Sequence, residues 1–179
     1  MPRKLPEPLD APALLEYALR LLARRSYSLA ELREKLAARA RNREDAAGVI
    51  ARLKEYGYVN DRRLAEAFAS SRLANEGSGK ARVVRDLLKR RVAREVAERA
   101  ASEAYRDTDE AALIESYLHR KYRSKQLESF LSDPRNLASA YRRLRAAGFT
   151  AANSIRVLKR FAREAEALEG MEEEPGDAL

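Results

Sequence analysis

Positively charged side chains form the most distinctive pattern in this 179-residue chain that could do chemistry. In a helix predicted from about Lys80, the spacing i, i+3, i+7 puts Arg82, Arg85 and Lys89 on one face, opposite an apolar stripe. A second group, Arg142 and Arg143, lies near the end of a later predicted helix. A guanidinium group is a planar fork that donates two parallel hydrogen bonds, so it suits phosphates and carboxylates equally.

Catalytic patterns are missing from the sequence. The chain has one histidine, His119, and no cysteine, and the residues beside His119 are basic. A Ser-His-Asp triad, a Cys-His pair and a zinc-binding H-E-x-x-H motif are therefore excluded. We predict no catalytic residue, no metal and no cofactor, and hence a protein that is not an enzyme.

The segment GSGK, from Gly77 to Lys80, invites comparison with a phosphate-binding loop. Ala74 stands where that motif needs its first glycine, Ala81 replaces the serine or threonine, and no strand precedes the segment. We interpret it as a turn that aims the basic helix behind it. Gly77 and Gly79 are then expected to provide positive φ angles.

Charge is distributed unevenly along the chain. Residues 1–163 contain all 36 basic residues and 21 acidic ones, a net charge of +15, whereas residues 164–179 contain seven acids and no base. A body of this charge would attract a polyanion, either nucleic acid or an acidic protein surface, although a generic solvated surface is the plain alternative. Without an apolar leader or a long apolar run, we expect an untargeted cytoplasmic protein with no membrane partner.

Apolar residues recur at helical spacing throughout the chain, and we predict nine helices and an all-α fold. Ser28 with Glu31 has the form of a capping box, and Gly57 suits a left-handed helix end. Asp133 followed by Pro134 is typical of a helix start, and the acids from Asp107 to Glu110 are interpreted as another. The stretch between Tyr122 and Asp133 is less periodic. Tyr58 and Phe149 follow glycine at helix ends, and most aromatic residues fit packing roles, so no stacking platform for nucleic acid is demonstrated.

Two segments resemble each other: LKEYGY at 53–58 and LRAAGF at 144–149 share an L-x-x-x-G-aromatic ending. Grouping the helices by threes predicts tandem three-helix repeats in an elongated, curved array, with a single compact bundle as the alternative. The predicted organisation is an N-terminal tail (1–10), three repeats (11–58, 59–105 and 106–163) and an acidic C-terminal tail (164–179). A longer connection near 123–135 interrupts the third repeat.

Several motifs together resemble the RecX family over most of the chain, from about residue 13 to residue 161. They are SYSLAELREKL at 26–36, GYVNDRRLAEAF at 57–68, Arg72, the glycine turn at 77–79 with Arg82 and Leu88, and AAGF at 146–149. Two features depart from the family pattern. Arg91 stands where the family often has glycine, and residues 123–133 lengthen a connection.

The resemblance implies three tandem three-helix repeats and a modulator that lies in the groove of the RecA filament on DNA. It also implies inhibition of strand exchange, ATP hydrolysis and coprotease action by that filament. We expect a monomer whose partner is the RecA filament, with direct contact to single- or double-stranded DNA left open. A sequence-independent nucleic-acid-binding helical protein is the alternative. The residues expected to face the partner are Arg72, Arg82, Arg85, Lys89, Arg142 and Arg143.

Overall fold

A computed structural model describes residues 7–162 and Ala165, and within them it contains helices and no strand. The all-α prediction is therefore confirmed. The helices are α1 (Ala11–Arg24), α2 (Leu29–Ala37), α3 (Arg43–Glu55), α4 (Asp61–Ser71), α5 (Lys80–Lys89), α6 (Arg94–Ala104), α7 (Glu110–Lys121), α8 (Leu127–Leu131), α9 (Pro134–Ala146) and α10 (Ala151–Leu158). One π-helical turn, Arg72–Glu76, follows α4. Residues 1–6 of the predicted N-terminal tail and the predicted acidic tail, apart from Ala165, lie outside the described residues.

The helix starts follow the capping residues that the sequence indicates. Ser28 accepts a hydrogen bond from the Glu31 amide at 3.1 Å, and the Glu31 carboxylate accepts one from the Ser28 amide at 2.8 Å. This reciprocal pair is the predicted capping box, and it satisfies two amides that the first helical turn leaves unpaired. Asp133 caps α9 in the same way, by accepting a hydrogen bond from the amide of Arg135 at 2.7 Å.

Two details of the helix prediction are wrong. The described residues hold ten α-helices rather than nine, because the less periodic stretch contains α8, a five-residue helix that buries Leu127 and Leu131. In addition, α7 begins at Glu110 rather than near Asp107. Its N-cap is Asp109, which accepts a hydrogen bond from the Ala111 amide at 2.9 Å.

The chain divides into two compact units, whose boundaries fall within α4, α5 and α6. The first unit comprises residues 1–68 and 86–100, and the second comprises residues 69–85 and 101–179. These units do not coincide with the three predicted repeats, which remain a prediction.

In the first unit, α1 and α2 pack on α3 around a leucine-rich core. Its fully buried side chains include Leu14, Leu32, Leu36 and Leu53. Arg90 adds a polar connection to this unit. It donates to the Ser26 carbonyl at 2.7 Å and to the Glu31 carboxylate at 3.1 Å, while the Ser28 hydroxyl donates to the Arg90 carbonyl at 2.5 Å. Burial alone would raise the pKa of Glu31, but hydrogen bonds from Arg90 and Ser28 hold that pKa below its ordinary value.

In the second unit, α10 packs on α7 and α9, and α8 packs on α9. Phe149, Leu144 and Leu158 are among the fully buried side chains of this core. Glu110 does more than favour the helix start, because its carboxylate accepts hydrogen bonds from the Thr150 amide at 2.9 Å and from the Asn153 side chain. Burial opposes ionisation of Glu110, yet these hydrogen bonds lower its pKa, so the charged carboxylate joins the start of α10 to α7.

Three helices end in the same way. The amides of Tyr58, Val92 and Phe149 each donate to the carbonyl five residues earlier, at 2.9, 3.1 and 3.1 Å. In each case the preceding residue has a left-handed backbone: φ is 71° at Gly57, 59° at Arg91 and 90° at Gly148. This geometry is the Schellman motif. The resemblance between residues 53–58 and 144–149 therefore reflects a shared type of helix end, and residues 87–92 form a third example.

We predict that Arg91→Gly stabilises the protein. A left-handed backbone costs a residue with a Cβ atom about 1–2 kcal/mol, and glycine avoids that cost. The substitution also removes an ion pair between Arg91 and Glu34, but both side chains are more than 60% exposed, so that loss is worth well under ~1 kcal/mol. We expect a net gain of about 1 kcal/mol in the free energy of unfolding, measured by urea titration with circular dichroism. Gly57→Ala, at the matching position of α3, should lower stability by a similar ~1 kcal/mol, and a loss of stability in Arg91→Gly would contradict the argument.

Candidate functional site

Within the second unit, the start of α5 lies directly against the end of α9. The Gly79 amide donates to the Ala147 carbonyl at 2.9 Å, and the Ala81 amide donates to the Gly148 carbonyl at 3.1 Å. A Cβ atom on Gly79 would lie 2.2 Å from the Gly148 carbonyl carbon, and a Cβ atom on Gly148 would lie 2.2 Å from the Arg82 amide nitrogen. The two backbones can therefore touch only because both residues are glycine.

The two glycines of the GSGK turn serve different purposes. Gly77 has the expected positive φ, 55°, but Gly79 is not among the residues with positive φ. The expectation for Gly79 is therefore wrong, because this position requires space rather than a left-handed backbone. The amides of Gly79 and Ala81 are already bound to α9 carbonyls, which leaves them no capacity to cradle a phosphate.

Polar contacts hold the residues just before α5. The Tyr105 hydroxyl donates to the Ser78 carbonyl at 2.6 Å, and burial raises the pKa of Tyr105 to about 12, so this donor stays protonated at neutral pH. Arg120 donates to the Glu76 carbonyl, and its guanidinium lies 5.8 Å from the centre of the Tyr117 ring. These contacts fix the direction in which α5 leaves the turn.

Arg82 and Arg85 lie on the part of α5 that meets α9. Arg85 is exposed, yet its guanidinium donates to the Ala146 carbonyl at 2.7 Å and so satisfies a carbonyl at the end of α9. Arg82 is half-buried beside Gly148. Sequence spacing placed both residues on a cationic face, but it gave no sign that Arg85 also has a structural partner.

Arg142 and Arg143 are exposed on α9, and neither forms an ion pair with a residue that the structure describes. Arg145, which the sequence places in the same group, has a structural contact, because its guanidinium donates to the Phe149 carbonyl at 2.7 Å. Arg143 exerts an electrostatic effect on Tyr122, where burial raises the pKa and the nearby guanidinium partly offsets the rise. The end of α9 thus carries two exposed guanidinium groups about one helical turn before Ala146, whose carbonyl Arg85 contacts.

The other two candidate residues have surroundings of their own. Arg72 begins the π-helical turn and is paired with Glu76 one turn later. Lys89 belongs to the first unit, where it is exposed and has no ion pair with a described residue. Its neighbours Arg90 and Arg91 have carboxylate partners, Glu31 and Glu34.

The structure shows two exposed aromatic residues that the sequence did not single out. Tyr56 is 63% exposed and Tyr58 is 58% exposed, on either side of Gly57 at the end of α3. These two tyrosines are therefore exceptions to the packing role expected of most aromatic residues. Phe149, at the same position of its own Schellman motif, is 1% exposed, so the sequence pattern alone cannot separate the two.

The exposed cations of the site suit the binding of an anion. Within the described residues, no group of three or more His, Cys, Asp and Glu side chains could hold a metal ion. His119 contacts the edge of the Phe161 ring, with ring centres 6.2 Å apart. None of the described helices has the length and apolar character needed to cross a membrane. The available chemistry is the donation of hydrogen bonds by exposed guanidinium and ammonium groups.

Comparisons with known proteins relate the chain to one family. Residues 15–53 match the model for RecX, first three-helix domain, and residues 60–100 match the model for RecX, second three-helix domain. The chain therefore contains two tandem three-helix domains, which correspond to α1–α3 and α4–α6.

Two curated relatives give the same family, and one solved structure shares the fold. A protein named Regulatory protein RecX from Thermus thermophilus is 43% identical over 111 residues, which cover 62% of this chain and 75% of that protein. The protein of the same name from Shigella sonnei is 38% identical over 119 residues, covering 61% of this chain and 70% of that protein. The crystal structure of RecX from Lactobacillus salivarius is similar in fold, with a TM-score of 0.67, 17% identity, and coverage of 85% of this chain and 96% of that one.

We predict that Arg85 contributes to stability whereas Lys89, one turn further along the same helix face, does not. Arg85→Ala removes the hydrogen bond to the Ala146 carbonyl and should lower the free energy of unfolding by about 1 kcal/mol. Lys89→Ala is the matched control and should change it by less than about 0.5 kcal/mol. Urea unfolding of the full chain measures both effects, and equal values for the two variants would refute the structural role of Arg85.

Proposed function

The chain belongs to the RecX family, and from this premise we propose that it is a regulatory protein that binds the RecA filament on DNA. Its main effect would be to inhibit the recombinase, ATPase and coprotease activities of that filament. Family membership is the observation that carries the proposal, since charge alone fits any polyanion. The exposed cations of α9 and the end of α5 are consistent with it.

The proposed partner-facing residues are the six given by the sequence: Arg72, Arg82, Arg85, Lys89, Arg142 and Arg143. These residues differ in how readily a partner can reach them, because they differ in exposure and in existing contacts. Lys89, Arg142 and Arg143 are exposed without an ion pair among the described residues, so a partner can engage them with the least reorganisation. Arg72 and Arg85 must first give up or share the contacts with Glu76 and the Ala146 carbonyl.

Regulation in this proposal is steric and conformational, with no catalysis by this chain. A protein of tandem helical repeats can contact several neighbouring RecA protomers at once and gain avidity from individually modest contacts. Binding of that kind would brace the filament in a state poorly suited to ATP turnover. We further propose that residues 106–163 form a third repeat, and that the protein acts in the cytoplasm as a monomer.

The test is a RecA ATPase assay on single-stranded DNA, titrated with this protein. The double variant Arg142→Glu, Arg143→Glu should raise the concentration needed for half-inhibition at least tenfold, a change of about 1.4 kcal/mol, because it replaces attraction with repulsion. Arg24→Glu with Arg41→Glu is the matched control. It makes the same change in net charge at exposed residues of the first unit and should inhibit like the unaltered protein. Unchanged inhibition by a folded Arg142→Glu, Arg143→Glu variant would reject this site, and absence of inhibition by the unaltered protein would reject the function.

Direct binding of single-stranded nucleic acid is a second candidate function, favoured by the exposed Tyr56 and Tyr58. Bases stack on exposed aromatic rings, and every base has a face that can do so. The exposed side chains of Arg52, Lys54 and Arg63 are close to these tyrosines in sequence and could bind backbone phosphates.

We predict that Tyr56→Ser with Tyr58→Ser weakens binding of a labelled single-stranded oligonucleotide by about thirtyfold or more, because two lost stacking contacts at about 1–3 kcal/mol each cost at least ~2 kcal/mol together. Fluorescence anisotropy at fixed salt measures this change. Leu19→Ser, which replaces another exposed apolar side chain, is the control and should leave binding unaltered. Equal affinity of the tyrosine variant and the control would exclude a stacking role.

A further inference from the structure

The first unit has an open groove between α2 and α3 that the proposed function does not use. Its volume is about 410 Å³. Small apolar side chains and one isoleucine form its floor: Ala37, Ala46, Ala47, Ile50 and Ala51. Arg33, Arg43 and Lys54 complete its lining. The groove therefore combines an apolar floor with charged side chains that are all positive.

The core accounts for Ala46 and Ile50, which are buried, but not for the exposed alanines of the groove. The buried face of α3 is supplied by Ala46, Val49, Ile50 and Leu53, whereas Ala47 and Ala51, one turn apart, are exposed. Gly48 is exposed between them, and a Cβ atom built there would have no neighbour within 4 Å. The side chains at 47, 48 and 51 thus extend no further than Cβ, so another helix can approach the α3 backbone at these three positions.

The three cations of the groove are also without partners. Arg33, Arg43 and Lys54 are exposed, and none forms an ion pair with a residue in the described part of the chain. Elsewhere in the same unit, Arg20 is paired with Glu16, and Arg62 with Glu66. Arg43 is moreover the first residue of α3, where a positive charge opposes the helix macrodipole. Its position therefore gives the isolated helix no electrostatic benefit.

We propose that this groove binds an acidic amphipathic helix of a partner protein. Arg43 and Lys54 are separated by a helical rise of about 16 Å, which matches roughly three turns of a bound helix. Apolar residues of that helix at i, i+3, i+4 and i+7 would lie on the alanine floor, and carboxylates beside them would accept hydrogen bonds from the three cations. Charge complementarity selects an acidic segment.

A nucleic-acid strand fits this groove less well than a helix does. The floor contains no aromatic ring on which a base could stack, and Ala47, Ile50 and Ala51 offer only alkyl surface. The groove residues are distinct from all six residues proposed to face RecA, so this inference does not depend on the RecA proposal; only Lys54 is shared with the nucleic-acid candidate.

The experiment uses the full chain and a labelled synthetic peptide of roughly four helical turns, with leucine at i, i+3, i+4 and i+7 and glutamate at most other positions. Fluorescence anisotropy should show saturable binding. Arg33→Glu with Lys54→Glu should weaken that binding roughly tenfold or more. Ala47→Tyr, which fills the groove at an exposed position without a change of charge, should weaken it similarly. Arg24→Glu with Arg41→Glu is the charge-matched control and should bind like the unaltered protein.

The same assay contains the outcomes that overturn the proposal. No binding of the peptide, or equal affinity for both groove variants and the control, would remove the groove as a site. A peptide of the same composition with scrambled leucine positions should bind more weakly, and equal affinity would show a general polyanion surface instead. Displacement of the labelled peptide by a single-stranded oligonucleotide of matched charge would show the same. Binding that appears only after deletion of residues 166–179 would assign the groove to that acidic segment rather than to a partner. Thermal unfolding monitored by circular dichroism checks that each variant is folded.

Discussion

Direct backbone contact between Gly79 and Gly148 is the constraint on which the basic surface of the second unit depends. A side chain at either position would overlap the opposite backbone, at 2.2 Å from the nearest atom. With both side chains absent, two amides at the start of α5, those of Gly79 and Ala81, bind the carbonyls of Ala147 and Gly148 just after α9, so groups that the helix ends leave unpaired find partners. Arg82 and Arg85 reach the end of α9 because of this contact. The function of the GSGK segment is therefore to join two helices.

Local signals in the sequence predicted most of the secondary structure because capping is a short-range interaction. Ser28, Asp133 and Thr150 each bind amides within three residues of themselves, so their effect can be read from neighbouring letters. The Schellman ends at Gly57 and Gly148 are equally local. The third such end was not predicted because Arg91 occupies the left-handed position, and arginine, unlike glycine, does not indicate a helix end. Helix α8 was not predicted because five residues are too few to show a helical repeat of apolar residues.

Contacts between residues distant in the sequence could not be predicted in this way. Arg90 and Glu31 are 59 residues apart, and Glu110 and Thr150 are 40 apart. Nothing in the neighbourhood of either acid indicates which cation or amide will meet it after folding. Tyr58 and Phe149 also differ because of contacts distant in the sequence. They share a motif, but only Phe149 is covered by the rest of its unit. There the Tyr117 ring packs edge-on against Phe149, with 5.5 Å between ring centres.

Net charge consequently overstates the surface available to a partner. Among the described residues, six arginines donate to backbone carbonyls: Arg25 to Ser26, Arg39 to Glu7, Arg85 to Ala146, Arg90 to Ser26, Arg120 to Glu76 and Arg145 to Phe149. A guanidinium group suits this role because it has five donors and bears a charge that complements carbonyls at helix ends. Arg85 and Arg145 act in this way at the end of α9, next to the exposed Arg142 and Arg143. Arginines that stabilise the fold and arginines available to an anionic partner thus occur on the same helix, and only their contacts distinguish them.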